Sequence, residues 1–410
     1  MAEIKRYPNG LRLVVKRIDG LLSVSMGILV GAGAGIETDA EDGISHFIEH
    51  MTFKGTDLYT EEEISNEFDA IGAQQNAFTG KDLTCYYAKT ISEHTERAFS
   101  LLSDLFLHSV YPKDGMEREK GVILEEIAMN EDTPEDFCLD LLSEAFYGRR
   151  NYGRNILGPA ENVKKFDKRD IEAYRNALYC PENIVLSFAG NIDMETAERL
   201  VERYFVCDAG AYEKRVAKVA LCADRVCRDK NIEQVHMAFA FPSFERYDPL
   251  MNAASVMNSA LGGSMSSRLF QSVREKRGLA YNVYSYLNPY EGTGSQIVYA
   301  AVNPKNVERA VDAIFSTVEE VKKCGITKEE LERGKAQIKA SSIFAQESTS
   351  SQMLLYGKYL LYRDELFDFD AKMHEVDRVT MEDVEACLLK SFDRERMATA
   401  AVGKIKRAIE

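Results

Sequence analysis

The chain has 410 residues, 45% of them hydrophobic, and a formal net charge of −15 at pH 7. That length exceeds one ordinary core and predicts roughly two or three domains. The acidic balance leaves no basic surface to displace counterions, which excludes nucleic acid as a partner, and no apolar run approaches membrane-spanning length.

The charged start, "MAEIKRYPNG", lacks the apolar stretch of a signal peptide, so the expected location is cytoplasmic. The eight cysteines are scattered without a CxxC pair and read as reduced thiols. "LRLVV" and "SVSMGILVGAG" have strand character, and the apolar spacing then predicts helices over Gly43–Phe53 and Thr60–Ile71. "QQNAFTG" and "LTCYYAKT" return to strand. Helical spacing covers Glu93–Phe106, Met116–Met129 and Ile171–Leu178, and "IVLSFAG" closes the first half as a strand. The second half reads alike: a strand at "VHMAFAF", helices through Met251–Arg274, strands at "AYNVYSYL" and "QIVYAAV", long helices, and a last strand at "MATAAVG".

The likeness of the halves extends to sequence. Asp170 in "RDIEAYRNALYCPENIVLSFAGNI" matches Asp383 in "MEDVEACLLKSFDRERMATAAVGKI", 213 residues on, and Gly190 matches Gly403 at the same interval. "TERAFSLLSDLF" from Thr95 resembles "VERAVDAIFSTV" from Val307 at an interval of 212. Units of roughly 200 residues are too long for solenoid repeats. The expected fold is therefore α+β: two duplicated α/β sandwich domains, each a mostly antiparallel sheet covered by helices. Residues 1–207 form the first, 208–231 the linker and 232–410 the second.

"GISHFIEHMTFKGT" spends two of only six histidines within one helical turn. His46 and His50, at i and i+4, share a face, and Glu49 borders it. Two imidazoles and a spare carboxylate suit a catalytic zinc site, which needs three protein ligands and an open position for water. The string is the H-x-x-E-H of the inverzincins. Its apolar neighbours Phe47, Ile48, Met51 and Phe53 argue against a solvated helix, and buried histidines need partners.

A third ligand has to come from elsewhere. In "EREKGVILEEIAMNED", Glu119 and Glu126 stand two turns apart on one face of a largely apolar helix, as a ligand and a partner that orients a histidine would. By spacing alone, these glutamates are equally well an ordinary solvated face.

Together, "HFIEHMTFKGT", the glutamate 76 residues past the second histidine and "NILGP" at Asn155–Pro159 resemble the pitrilysin/insulinase family of zinc peptidases. The similarity is to its half-length branch, with the mitochondrial processing peptidase β-subunit and bacterial homologues, and spans the whole chain. It implies His46, His50 and Glu126 as ligands of one zinc per chain, Glu49 as general base and Glu119 as the carboxylate behind a ligand. It also implies that Asn76 and Ala77, in "QQNAFTGKDLTCYY", pair with a substrate backbone along an edge strand; without the family, that stretch is an ordinary edge strand. The second half has "MNSALGGS" where the motif would recur, so it is expected to be metal-free. Arg274 and Tyr281, seven residues apart in "REKRGLAY", match the family's oxyanion-steadying pair; by sequence alone they are a solvated charge and a strand residue. Half-length relatives close in pairs around a chamber that admits short or unfolded peptides. Since this chain holds both the motif and the Arg/Tyr pair, a homodimer is expected, with a zinc endopeptidase activity. The alternative is a non-catalytic or partner-dependent subunit of a heterodimeric peptidase.

Overall fold

The computed structural model describes residues 2–409 apart from 209–211, 213, 218 and 406. It divides into two compact units. The first is built on a six-stranded sheet in the order β1-β2-β6-β3-β5-β4. Its strands are β1 (Ala2–Arg6), β2 (Arg12–Arg17), β3 (Ser23–Val30), β4 (Gln74–Thr79), β5 (Thr84–Ile91) and β6 (Ile184–Gly190). Only the β2–β6 pairing is parallel. The second unit has a five-stranded sheet, β7-β11-β8-β10-β9. These are β7 (Arg225–Asp229), β8 (Val235–Pro242), β9 (Ala280–Tyr290), β10 (Thr293–Val302) and β11 (Ala398–Gly403), with β7–β11 parallel and the rest antiparallel.

The order β7-β11-β8-β10-β9 repeats β2-β6-β3-β5-β4, so the sequence likeness has a structural counterpart. The matched aspartates, Asp170 and Asp383, are both the third residue of capping-box helices, Lys168–Leu178 and Met381–Lys390. The matched glycines, Gly190 and Gly403, both end strands at positive φ. A Cβ there would fall 2.2 Å from the Ser23 carbonyl oxygen and 2.7 Å from that of Gln234.

Each sheet is buried on both faces. In the first unit, Leu13, Val15, Val24, Met26, Ile28 and Phe188 face the helical layer that holds Ile44–Thr52 and Thr95–His108. Val14, Leu29, Cys85, Val185 and Ala189 face the opposite way, onto Met353, Tyr356 and Leu360 of helix Thr349–Arg363. Small residues let that helix lie close. A Cβ on Gly27 would meet Met353 Sδ at 2.4 Å, and Ser187 Oγ donates to the Met353 carbonyl at 2.7 Å. In the second unit Ala238, Ala240, Ala398 and Ala400 play the same part under helix Pro134–Tyr147.

The expected domain cut therefore differs from the division seen. The first unit comprises Met1–Ile127, Asn155–Val216 and Phe344–Asp368, and the second Ala128–Arg154, Ala217–Ile343 and Phe369–Glu410. Each sheet is covered on one face by a helix from the other half of the sequence. Hydrophobic periodicity shows that a helix has a buried face but not which sheet buries it. The stretch 208–231 contains β7 at its end, and five of its residues lie outside those described. The first of the helices expected through Met251–Arg274 is Met251–Leu261. It stops at Leu261, because Gly262 packs against Ser285, where a Cβ would lie 2.5 Å from Oγ. Among the described residues no helix is long and apolar enough to cross a membrane.

A fragment ending at Val216 would leave Val14, Leu29, Cys85, Val185 and Ala189 in water. It is expected to bind a hydrophobic dye and to lack a cooperative thermal transition, and fusing residues 344–368 to it should restore one.

Candidate metal centre

The motif occupies helix Ile44–Thr52. Its apolar residues Ile44, Phe47, Ile48 and Met51 are fully buried in the first unit's core, which fixes the rotation of the helix and turns the histidines to the other side. The helix start is held by a residue the sequence did not single out. Glu37, 4% exposed, accepts from the backbone N–H of Gly43 at 2.8 Å and of Ser45 at 2.9 Å. A carboxylate at a helix N-terminus satisfies amides that the helix itself leaves free. Burial outweighs those bonds and pushes the Glu37 carboxyl up to about 7. Next to it, Gly43 and Gly158 meet face to face: a Cβ on Gly158 would lie 2.5 Å from Gly43 Cα, which explains the glycine of "NILGP".

The second element is helix Lys113–Asp132. It carries Glu126 to 3.6 Å from His46 Nε2 and 3.5 Å from His50 Nε2, measured from Oε2. The two Nε2 atoms are 3.2 Å apart. Three ligand atoms around tetrahedral zinc, at bond lengths of about 2.0–2.1 Å, would be about 3.3 Å from one another. Among the described residues, these three form the one His/Cys/Asp/Glu group compact enough for a metal ion.

The donor set fits a cation for two further reasons. Glu126 Oε2 is buried with no hydrogen-bond partner. His50 Nδ1 stands 3.0 Å from Glu119 Oε1; a carboxylate only accepts, so Nδ1 keeps the proton and Nε2 is left bare toward Glu126. Burial, with His50 nearby, pushes His46 down to about 3, so its imidazole is neutral across the working range. Neutral imidazole is the metal-binding form.

Glu49 sits beside this cluster. Burial raises its carboxyl, against a hydrogen bond from Thr79 Oγ1 to Oε2 at 2.5 Å. Thr79 is the last residue of β4, which pairs only with β5 and so stands at the sheet edge. Asn76 and Ala77 lie on this edge strand, and the Ala77 amide donates to Asn76 Oδ1 at 2.8 Å. Glu119 is buried, whereas its neighbour on the same helix, Glu125, is exposed. Burial works to raise the Glu119 carboxyl, and bonds from His50 and Lys54 outweigh it and hold it below the ordinary range.

In the second unit, Arg274 lies on a π-helical turn, Phe270–Glu275, and its guanidinium stacks over the rings of Phe270 at 4.8 Å and Tyr281 at 5.0 Å. Tyr281 is 74% exposed at the start of β9, the edge strand that corresponds to β4. The structure thus brings Arg274 and Tyr281 together, a pair that the family resemblance implied and the sequence alone did not. Sequence reasoning missed Glu37, Lys54 and Thr79, which no motif or spacing signals.

The family model described as insulinase (peptidase family M16) matches residues 14–160, and the one described as peptidase M16 inactive domain matches residues 165–338. An uncharacterized zinc protease of Bacillus subtilis, YmxG, is 39% identical over 95% of this chain and 96% of its own length. One of Streptomyces coelicolor is 34% identical over 97% of this chain and 89% of its own. Two solved structures share the fold. A Pseudomonas fluorescens chain described as a peptidase M16 inactive domain aligns with TM-score 0.92 at 21% identity, over 99% of this chain and 98% of that one. A Helicobacter pylori protease aligns with TM-score 0.90 at 20% identity, over 98% and 99%.

The raised Glu37 carboxyl makes stability depend on pH. Its contribution is complete below about 4.5, the ordinary carboxyl value, and is lost as pH rises through about 7. Denaturant melts of the zinc-free chain should show less stability near pH 8 than near pH 5, with up to about 3 kcal/mol from this group. In Glu37→Gln that difference should shrink; an unchanged difference would mean that Glu37 ionises as an ordinary carboxyl.

Proposed function

The chain belongs to the insulinase (M16) family of peptidases, and from that premise we propose that it is a zinc metalloendopeptidase acting on short or unfolded peptides. The observation that carries this reading is the convergence of His46 Nε2, His50 Nε2 and Glu126 Oε2 at zinc-ligand spacing, with the Glu126 oxygen otherwise unsatisfied. The zinc-protease names of relatives that match nearly end to end support it.

In this reading His46, His50 and Glu126 hold one zinc per chain, and Glu119 fixes the tautomer of His50. Bound there, zinc supplies a Lewis acid for the scissile carbonyl and lowers the pKa of water. Glu49 accepts the proton of the attacking water and later passes it to the departing amine. Burial suits it to this task, since a general base works best with a pKa near the operating pH. Thr79 holds the Glu49 carboxylate in one orientation. The β4 edge at Asn76–Ala77 aligns an extended peptide as an added strand. Arg274 and Tyr281 steady the substrate's carbonyl oxygen, supplied by the second chain of a homodimer, whose chamber admits peptides and excludes folded proteins. The reading carries a cytoplasmic location with it.

Glu49→Gln should keep stoichiometric zinc and lose at least about 100-fold in kcat on a quenched peptide, a typical loss for a general base. Full turnover in that variant would remove Glu49 from the mechanism. Chelator should abolish cleavage by the wild type, and zinc should restore it.

Mixing inactive Glu49→Gln with inactive Arg274→Ala tests the homodimer. If a site combines groups from two chains, a mixed dimer contains one intact site, and activity returns on mixing. No return with chains that do exchange would place the whole site within one chain.

A further inference from the structure

Behind the proposed zinc ligands lies a line of polar groups of which the proposed reaction uses His50 and Glu119 but not Lys54 or Glu61. Lys54 Nζ is 2.8 Å from Glu119 Oε2 and 2.7 Å from Glu61 Oε1. Glu119 turns its other oxygen to His50 Nδ1, at 3.0 Å. The row Glu61–Lys54–Glu119–His50 therefore joins three helices: Glu61–Ala70, Ile44–Thr52 with the turn that follows it, and Lys113–Asp132. Both inner members are largely out of water, with the Lys54 side chain 17% and that of Glu119 9% exposed.

Glu61 and Lys54 are each fixed independently of the metal. Glu61 opens a helix held by a capping box between Thr60 and Glu63. The backbone after Lys54 is held where Thr56 Oγ1 accepts from the amides of Leu58 and Tyr59, both at 3.1 Å, and where the Val110 amide donates to the Gly55 carbonyl at 3.1 Å. The ammonium is thus delivered to one place. A buried carboxylate with a single partner can rotate; one held at each oxygen cannot.

We propose that Lys54 is a positioning residue for the metal centre: it locks the Glu119 carboxylate so that His50 is held with Nδ1–H toward Glu119 and Nε2 toward the metal. This rests on the zinc reading above and assigns a determinant of zinc affinity outside the ligand set. Partners behind a ligating histidine commonly contribute 10–100-fold in metal affinity, and Lys54 acts one step further out, through Glu119.

The test is zinc affinity by chelator competition, read without substrate. Lys54→Met should weaken zinc binding by about 10-fold, within the range for such partners, and Lys54→Arg should recover most of the loss. In a Glu119→Gln background, Lys54→Met should have little further effect, because the lysine works through that carboxylate. ¹⁵N spectra of the zinc-free chain should show His50 as the Nδ1–H tautomer in the wild type and a mixture in Lys54→Met. Wild-type affinity in Lys54→Met would overturn the proposal, as would an equal loss in the Glu119→Gln background, which would mark a general structural role. If Lys54→Met does not fold, Glu61→Gln decides: a several-fold loss of affinity supports the line of charges, and wild-type affinity overturns it. A wild-type chain that binds no zinc would sink the zinc reading itself; a wild type that binds zinc beside an unaffected Lys54→Met would sink only this assignment.

Discussion

Everything proposed for this chain depends on bringing two imidazole Nε2 atoms and a carboxylate oxygen without a hydrogen-bond partner within 3.2–3.6 Å of one another. With no cation between them, the bare His50 Nε2 and the Glu126 oxygen crowd their lone pairs together at low dielectric, which is costly. The fold forces the arrangement by fixing each contributor from the opposite side. Phe47, Ile48 and Met51 hold the motif helix in the core, Glu37 ties down its first turn, and Ile123 seats the glutamate helix. Core packing and capping thus oppose the local repulsion that the site creates.

The second unit shows what the same scaffold does without that demand. In place of the motif it has Asn258 and Gly262, and the Asn258 carbonyl oxygen is satisfied from within. Asn258 Oδ1 accepts from Ser285 Oγ and from Gln296 Nε2, both at 2.7 Å. Gly262 closes against Ser285, so the space a side chain would need at that position is filled. Both halves keep the strand order, the capped helix and the terminal positive-φ glycine. The shared features build the sandwich, and the differing ones sit at the site.

How much could be seen beforehand follows the range of the interactions. His46, Glu49 and His50 lie within five residues, so helical geometry alone put them on one face. The duplication and the strands other than β1 and β7 were legible because alternation and capping are local, whereas β1 went unread and β7 lay in the stretch expected to be a linker. Helical spacing set Glu125 apart as solvated but could not say whether Glu119 and Glu126, on one face, were buried, since that is decided by a helix distant in sequence. Glu37 and Lys54 gave no pattern at all: each acts by a bond to a group that only the folded chain brings near. The covering of each sheet by a helix from the other half was hidden for the same reason, as was the π-helical turn that aims Arg274, which sets a guanidinium over two rings by one extra residue per turn.

The edge strand links the proposed chemistry to the proposed substrate geometry. β4 runs from Gln74 to Thr79, and its last residue holds Glu49. The turn after it is fixed twice, by the Gly80 amide on the Leu83 carbonyl at 2.8 Å and by the Ala34 amide on the Gly80 carbonyl at 3.1 Å. The strand therefore cannot slide relative to the motif helix. From Ala77 to Thr79 is two residues, about 7 Å of extended chain at 3.3–3.4 Å each. A peptide paired at Ala77 would reach Glu49 after about two of its own residues, on the same pleat. In the proposed reaction a register slip of one residue would present the opposite face of the peptide to the base, so whatever fixed the pairing at Asn76 and Ala77 would also select the bond that is cut. The Asn76 side chain, which caps the Ala77 amide in the free chain, has to yield that amide for such pairing to form. In the proposed reaction, substrate alignment and release of this cap would be one event, two residues along the strand from Thr79, which holds Glu49.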